Sequence, residues 1–217
     1  PARYQQAMFV CDWSYGKLYA VHMTPSGSAY KAEAEEFVTG TPLPLTDLCV
    51  NPQDGAMYFL IGGRKTKSGL YRVTYSGDDE LPKPVRGAGP AEEQRQSRLA
   101  IEAFHKPVGQ NAVDAAMKEL ANADRFTQYA ARTALEHQDV ALWKDAALAA
   151  KDPQTAILAA LALVRVSASD PFHLVAGSPK PDAALRAKIL ESLARFDFTK
   201  LDDPLKLDLA RTYQALF

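Results

Sequence analysis

Cysteine is scarce in this sequence, and so is net charge of either sign. The 217 residues include two cysteines and carry a formal net charge of −1, which argues against a broad basic surface for nucleic acid. Cys-x-x-Cys and Cys-x-x-Cys-His motifs are absent, so the sequence has no signal for a bound metal or a covalently attached haem. No apolar run approaches the roughly 18 residues of a membrane helix, and no membrane span is predicted.

The two cysteines and the histidines give no ligand set. Cys11 and Cys49 each lie inside a predicted strand, and we interpret both as small buried side chains. A disulfide between them would require neighbouring strands with both side chains on one face. The histidines of the second half, His105, His137 and His173, are scattered along the sequence.

The ends of the chain resemble cuts rather than natural termini. It begins at Pro1 without a methionine and ends on Phe217 within an apolar helical pattern. We therefore interpret it as a piece of a longer protein, in which the lack of a visible signal peptide says nothing about the compartment.

The first third has the alternation of antiparallel strands. Turn sequences rich in proline and glycine, such as TPSGS and NPQDG, separate the alternating segments. Small or aromatic residues alternate with charged ones over 29–38, which predicts an outer strand with one solvated face. The predicted strands cover residues 7–11, 17–23, 29–38, 45–51, 56–61 and 69–75.

Two parts of this region look alike. The segments CDWSYGKLYAVHMTPSG and GGRKTKSGLYRVTYSG both place a loop before a tyrosine-containing alternating strand that ends in a glycine turn. Repeated antiparallel units of this length are typical of β-propeller blades. We predict a partial propeller over residues 1–76, with strands B, C and D of one blade followed by strands A, B and C of the next. The rest of the ring would lie outside this chain.

This interpretation places three candidate ligand-binding residues on one face. In a propeller, the loops that join strands B and C share a face with the loops that enter strand A. Asp12 lies in the first B–C loop, Arg64 follows Gly62-Gly63 in the second, and Asp47 lies where the second strand A begins. An aspartate and an arginine near a central pocket could orient a polar substrate or cofactor. The alternative is structural: aspartates often bind N–H groups of their own turn, and glycines permit positive φ.

Residues 77–94 mix glycine, proline and charged residues with little periodicity, which predicts a linker.

From residue 95 the composition favours helices. A pattern of two small side chains followed by a large one recurs, with Leu135, Leu163 and Leu193 as the large residues. Such a repeating face predicts a HEAT-like α-solenoid over 95–217, in which no repeat buries its apolar face alone.

Helix boundaries and buried aromatic residues follow from the same patterns. Four aspartates are placed as N-caps, two of them followed by proline: Asp124, Asp139, Asp152 and Asp203. Three aromatic side chains are expected in the helical core: Trp143, Tyr129 and Tyr213. Lysines and arginines along these helices are expected on solvated faces.

The order of these motifs resembles a known family. DGAMYFLIGGRKTKSGLYRVTY, within a longer stretch from DWSYG onward, resembles the last blades of the propeller in large planctomycete and verrucomicrobial proteins, of the glucose/sorbosone dehydrogenase type. The segment DRFTQYAARTALEHQDVALWKDAALAAKD resembles the HEAT-like region that follows the propeller in those proteins. The resemblance covers nearly the whole chain.

The resemblance implies an exported, periplasmic protein whose cytochrome domain carries c-type haem. Sugar dehydrogenase propellers of this broad type often use a quinone cofactor, but no residue set here matches a quinone site. This chain has no complete active site, no cofactor site of its own and no matched catalytic residue.

Two hypotheses follow. In the first, the parent protein oxidises a sugar or alcohol and passes electrons to a cytochrome domain, and this chain is mainly a structural and interaction region. In the second, the chain is a non-catalytic propeller–solenoid scaffold that holds a protein partner on its helices.

Overall fold

The β-strands precede the α-helices along the chain, as predicted. The computed structural model describes residues 2–63, 65–77, 90–167 and 183–217. Within this part, the strands are β1 (Met8–Asp12), β2 (Lys17–Ser26), β3 (Ala29–Thr39), β4 (Leu45–Val50), β5 (Met57–Gly63) and β6 (Thr66–Val73). The helices are α1 (Pro90–Glu102), α2 (Gln110–Glu119), α3 (Arg125–Glu136), α4 (Lys144–Ala149), α5 (Pro153–Ser167), α6 (Ala183–Ala194) and α7 (Asp203–Leu216).

The chain divides into two compact units, a β unit of residues Pro1–Ala88 and an α unit of residues Gly89–Phe217. Helix α1 begins at Pro90, so residues 90–94 of the predicted linker are helical. Residues 78–89 of that linker lie outside the described residues.

The β unit consists of two antiparallel sheets with the strand orders β1-β2-β3 and β4-β5-β6. Strand β3 lies at an edge of the first sheet and exposes most of its side chains, which confirms the predicted outer strand. Strand β2 continues to Ser26, beyond the predicted 17–23, because Pro25 still pairs with Tyr30. The chain reverses at Gly27, where φ is +61°.

The hairpin β1–β2 recurs as the hairpin β5–β6 with the same register. Directly opposed residues of an antiparallel pair point to the same face of the sheet, so equivalent pairs mark equivalent faces. The equivalent pairs are Met8↔Val21 and Met57↔Val73, Val10↔Tyr19 and Phe59↔Tyr71, and Cys11↔Leu18 and Leu60↔Leu70. The two hairpins match over five regular opposed pairs, and β5–β6 then departs from β1–β2 with a register shift between Ile61 and Gly63.

The two sheets share one apolar core, and strands β1 and β4 lie against each other. Leu18 of the first sheet and Leu45 of the second are almost completely buried there, together with Phe59. Cys11 and Phe9 of β1 pack against the same cluster. The Leu18 side of the first sheet thus faces the Phe59 side of the second.

Helix contacts in the α unit link both successive and alternate helices, and α2 packs extensively against α3. Helix α3 packs against α1 and α5, α5 packs against α3 and α7, and α4 packs against α5 and α6. The predicted leucines Leu135, Leu163 and Leu193 are buried. The spacing of these leucines predicts that α3, α5 and α6 are successive equivalent helices. In the structure, α5 contacts α7 more extensively than it contacts α6. Helix α6 contacts both α4 and α5. Sequence spacing could not show this arrangement, because it carries no signal of which helices lie against each other.

Three of the predicted N-caps are confirmed. The side chains of Asp124, Asp139 and Asp152 each accept a backbone N–H at the start of a helical segment. The fourth is wrong by one residue, because Asp202 rather than Asp203 accepts the N–H of Leu205 at 2.9 Å.

The predicted aromatic core is confirmed only in part. Trp143 is buried and Tyr213 packs against the core at its edge. Tyr129 is 63% exposed, so the prediction that it is a core residue is wrong. It lies on the side of α3 opposite the buried alanines, where the Arg132 guanidinium stands 4.9 Å from the centre of its ring.

A buried glutamine just after α3 holds the connection between α1 and α2. The Gln138 amide binds backbone groups of that connection and of α3, and its side chain is therefore saturated with hydrogen bonds. Its oxygen accepts from the N–H groups of Val108 (2.8 Å) and Gly109 (3.0 Å), and its nitrogen donates to the carbonyl oxygens of Phe104, Lys106 and Ala134 at 2.9–3.0 Å.

Replacing Gln138 by leucine should destabilise the protein strongly, because several backbone groups would lose their partner. Each buried polar group left without a hydrogen bond costs about 1–3 kcal/mol, so we expect Gln138→Leu to lower the free energy of unfolding by about 3 kcal/mol or more. Urea unfolding measures this. The control Gln214→Leu, at an exposed site of α7, should change it by less than about 0.5 kcal/mol. A small loss in Gln138→Leu would mean that water replaces the amide.

Candidate functional site

Three loops of the β unit meet on one face. The Trp13 indole N–H, in the β1–β2 loop, donates to the carbonyl oxygen of Gly62 at 2.9 Å. The Gly62 N–H donates to the carbonyl oxygen of Pro44 at 3.0 Å, and the Gly40 N–H donates to that of Gly16 at 3.1 Å. These bonds join the β1–β2 loop, the β3–β4 connection and the end of β5 into one surface, which we call the loop face.

Asp12 is the last residue of β1, paired with Lys17, rather than a loop residue as predicted. Its side chain organises the turn that follows. One oxygen of its carboxylate accepts the backbone N–H groups of Ser14 and Tyr15, each at 2.9 Å. This is the structural alternative given in the sequence analysis, in which an aspartate binds N–H groups of its own turn. These bonds shape the turn that contains Trp13, so Asp12 supports the loop face.

Asp47 lies at an irregularity of β4. The register of β4 with β5 shifts between Leu45 and Asp47, and the Asp47 side chain is exposed. Its carboxylate accepts the N–H of Leu48 at 2.8 Å. Burial and, to a smaller extent, the negative charge of Asp47 raise the pKa of the Cys11 thiol on the neighbouring strand β1. Asp47 therefore lies beside the junction of the two sheets.

Arg64, the third candidate, lies outside the described residues, and its role as a ligand-face residue stays a prediction. The same is true of a ligand role for Asp12 and Asp47. The described residues nearest to it in the sequence include Gly63 and Thr66, which are a registered pair of β5 and β6.

The predicted position of Gly62 and Gly63 is wrong in one respect. Both belong to β5 rather than to the following loop. Gly63 has a φ of +96°, and a β-carbon at this position would stand 3.1 Å from the Trp13 ring. The lack of a side chain thus allows the close approach of Trp13, which explains this glycine without a ligand.

A shallow cavity of about 140 Å³ opens on the loop face. Two exposed aromatic rings, Trp13 and Tyr15, stand at its edge. Its size is below the range of about 300–1,000 Å³ that is usual for small-molecule sites, so it suits a flat group or the edge of a larger ligand. The remaining lining residues are Ser14, Gly16, Gly40, Thr41, Pro42, Leu43 and Pro44.

Sequence reasoning placed the DWSYG loop, through Asp12, on a predicted ligand face but did not predict this cavity. The available signal was the pair of aromatic residues flanking Ser14 in a loop. The sequence does not show that residues 40–44 form the opposite wall of the cavity. Their position depends on the hydrogen bond between the Gly40 N–H and the Gly16 carbonyl oxygen.

The two cysteines differ in their surroundings. Cys11 is partly buried and packs against the core between the sheets, whereas Cys49 is exposed. The prediction that both are buried is therefore wrong for Cys49. Cys49 pairs with Tyr58 on the face of the second sheet that points away from this core. The two thiols consequently face different surroundings on the neighbouring strands β1 and β4, and both are free.

Two of the histidines that look scattered in sequence lie together. The rings of His105 and His137 stack with centroids 5.8 Å apart, and Nε2 of His105 lies 3.0 Å from the carbonyl oxygen of Ala130. His173 lies outside the described residues. Within the described ranges, no group of three or more histidines, cysteines and acidic residues could hold a metal ion.

A cluster of titratable side chains, Arg3, Tyr4, His22 and Glu35, lies at the start of the β unit. The Tyr4 hydroxyl donates to Glu35 at 2.6 Å, and this bond is the main reason that the pKa of Glu35 is lowered and that of Tyr4 is raised. Arg3 pairs with the same carboxylate, and His22 lies 3.6 Å from it. These contacts attach the N-terminal helical turn Ala2–Tyr4 to β3.

Comparisons with protein-family models, curated proteins and solved structures find no match to this chain. The family resemblance and its implications therefore stay predictions. No helix in the part of the chain that the structure describes is both long and apolar enough to cross a membrane.

The contact between Gly63 and Trp13 can be tested by substitution. Gly63→Ala should lower the free energy of unfolding by about 1–3 kcal/mol, since alanine would be strained at this φ and would crowd the indole ring. Gly55→Ala is the matched control, because Gly55 also has a positive φ but has open space around it. Chemical denaturation should show the larger loss for Gly63→Ala. Equal losses would mean that Trp13 moves aside freely.

Proposed function

We propose that this chain is the junction between the last blades of a β-propeller and a HEAT-like α-solenoid in a larger exported protein. It serves there mainly as a structural and interaction region. The observation that carries the proposal is the packing of two antiparallel sheets against each other, each with a hairpin whose five regular pairs match those of the other.

The strand content of the two sheets supports successive blades. If the shared hairpin is strands B and C, the first sheet adds β3 as strand D and the second adds β4 as strand A. Strand β4 then follows β3 directly in the chain and lies beside β1, as strand A of one blade would lie against the preceding blade. The loop face would be the face on which propellers bind ligands.

The helix contacts support the solenoid. Helices α1, α3, α5 and α7 contact one another in succession, while α4 and α6 contact each other beside them. Two rows of helices stacked in this way are the arrangement of helical repeats, in which each unit contacts mainly its neighbours.

For the parent protein we propose a dehydrogenase-like activity on a sugar or alcohol, on the basis of the sequence resemblance. Electrons would pass to a c-type haem in a cytochrome domain outside this chain, and a quinone cofactor is the expected acceptor in the propeller. The residues of this chain do not fit a covalent haem, because neither Cys11 nor Cys49 belongs to a Cys-x-x-Cys-His motif. Asp12, Asp47 and Arg64 would contribute to the pocket only by orienting a polar substrate.

A second candidate function is a non-catalytic scaffold, and the surface of α3 favours it. Tyr129 and Phe126 are exposed there, and arginine guanidinium groups lie over both rings. Arg132 also pairs with Glu136, which in turn pairs with Arg165 of α5 at 2.9 Å. Arg132 is buried, so the exposed cations of this surface are Arg125 and Arg165. Arginines beside exposed aromatic rings are enriched where proteins bind partners, so this surface suits an acidic protein partner.

The gene sequence on both sides of this chain tests the main proposal directly. We expect further blade repeats upstream and a Cys-x-x-Cys-His motif downstream. Their absence would overturn the dehydrogenase-like parent, and additional helical repeats in their place would favour the scaffold.

Dye-linked oxidation of a panel of sugars and alcohols by the full-length protein tests the activity. Arg64→Ala should raise KM for the active substrate if this side chain orients it. Arg72→Ala is the matched control, because Arg72 pairs with Asp54 on the outer face of the second sheet, at 3.3 Å. An active parent with unchanged kinetics in Arg64→Ala would show that Arg64 is structural.

A further inference from the structure

Side chains of α3 and α7 converge on the carboxylate of Asp208, in the first half of α7. Burial raises the pKa of Asp208, whereas the positive charges of Arg211, Arg132 and Arg125 act on the same carboxyl in the opposite direction. Arg211 lies one helical turn further along α7, and the other two arginines belong to α3. Both helices pack against α5. These arginines therefore lie on one side of the α unit, although they belong to different helices.

Two of these arginines are exposed and have no acidic partner. Among the described residues, no carboxylate forms an ion pair with Arg125 or Arg211. Arg165 of α5 adds a third exposed cation, because 55% of its side chain is exposed while it binds Glu136. A guanidinium group has several N–H donors, so all three arginines retain donors for a carboxylate from another molecule.

The balance of charge on this side of the α unit is positive. Four arginines, at positions 125, 132, 165 and 211, face the two carboxylates of Glu136 and Asp208. The nearby Asp124 and Asp202 bind backbone N–H groups as N-caps of α3 and α7, and the positive ends of these helices offset their charge. An acidic segment would therefore meet an excess of positive charge here.

Exposed aromatic rings lie among the arginines. Phe126 is 45% exposed and Tyr129 is 63% exposed, and residues three apart on a helix share one face. The Arg125 guanidinium lies 5.7 Å from the centre of the Phe126 ring. We call the surface of Arg125, Phe126, Tyr129, Arg165 and Arg211 the arginine surface. Arginine and aromatic side chains are the types that most often dominate binding energy at interfaces.

We propose that the arginine surface binds an acidic peptide segment of a partner protein, and that this segment carries an aromatic side chain. Its carboxylates pair with Arg125 and Arg211, and its ring packs against Phe126 and Tyr129. The inference rests on the scaffold function proposed above. It adds α7 to the binding surface and defines the chemistry of the partner.

The charges of the surface favour a peptide over the other anionic polymer that offers rings, a nucleic acid. Glu136 and Asp208 lie among the arginines, and they would repel a continuous line of phosphates. A peptide can place its carboxylates opposite the arginines and uncharged residues opposite Glu136 and Asp208. An entirely apolar segment would leave the arginines without a partner.

Fluorescence anisotropy with synthetic peptides tests the inference on the full 217-residue chain. The probe is a labelled short peptide of aspartate and glutamate residues around one phenylalanine. We expect it to bind, and Arg125→Glu and Arg211→Glu should each weaken binding by at least about tenfold, because each replaces a partner of a carboxylate by a like charge. Lys188→Glu, at an exposed site of α6, makes the same change of net charge and should alter the affinity by less than about twofold.

Variants of the peptide separate the contribution of charge from that of the ring. The version with asparagine and glutamine in place of the acidic residues should not bind. Serine in place of phenylalanine should weaken binding by about twofold to tenfold, and Tyr129→Ala should reduce the difference between these two peptides. Oligothymidylate of equal charge should bind more weakly than the acidic peptide.

Several results would overturn the inference. These are a lack of binding by the acidic peptide, equal binding of its uncharged version, tighter binding of oligothymidylate, and an equal loss of affinity in Lys188→Glu, which would show general charge attraction. Circular dichroism checks folding, and Arg125→Gln and Arg211→Gln replace the glutamates if these prevent folding. A failure to bind the peptide is distinct from a failure of the scaffold function, which the gene sequence tests separately.

Discussion

The β unit depends on the packing of the Leu18 side of the first sheet against the Phe59 side of the second. A three-stranded sheet has too little apolar surface to be stable alone unless one face is covered. Here each sheet covers one face of the other, and Leu45 at the start of β4 lies in the middle of the shared core. The loop face follows from this packing, because it sets the distance between the β1–β2 loop and the end of β5.

Hydrogen bonds from side chains also fix the positions of the connecting segments. Trp13 donates to Gly62 across the two sheets, and Gly63 leaves the space that the indole ring occupies. In the α unit, the buried amide of Gln138 has a comparable role, since it ties the connection between α1 and α2 to the end of α3. In both units a single polar side chain fixes a connection that has no regular structure of its own.

Each sheet of the β unit has one face packed against the other sheet and one face that is not. Each hairpin has two faces capable of packing, and two hairpins can satisfy only the faces between them. The remaining faces are mixed: Met8 and Val10 are exposed on the first sheet, whereas Leu60 and Leu70 lie beside the Arg72–Asp54 ion pair on the second. In the proposed propeller, neighbouring blades of the parent protein would cover these faces.

Local sequence patterns determined much of the secondary structure of this protein and the burial of several side chains. Alternation and turn residues place the six strands to within a few residues. Aspartates place the starts of α3 and α5 and, to within one residue, of α7, because both signals act over neighbouring residues. The burial of Leu135, Leu163 and Leu193 also follows from periodicity. Only the tertiary structure decided that Tyr129 is exposed, that His105 and His137 stack, that Cys49 points away from the core, and that Trp13 accounts for Gly63. Each of these depends on which distant segment lies opposite, and residues far apart in the chain carry no local signal of that contact.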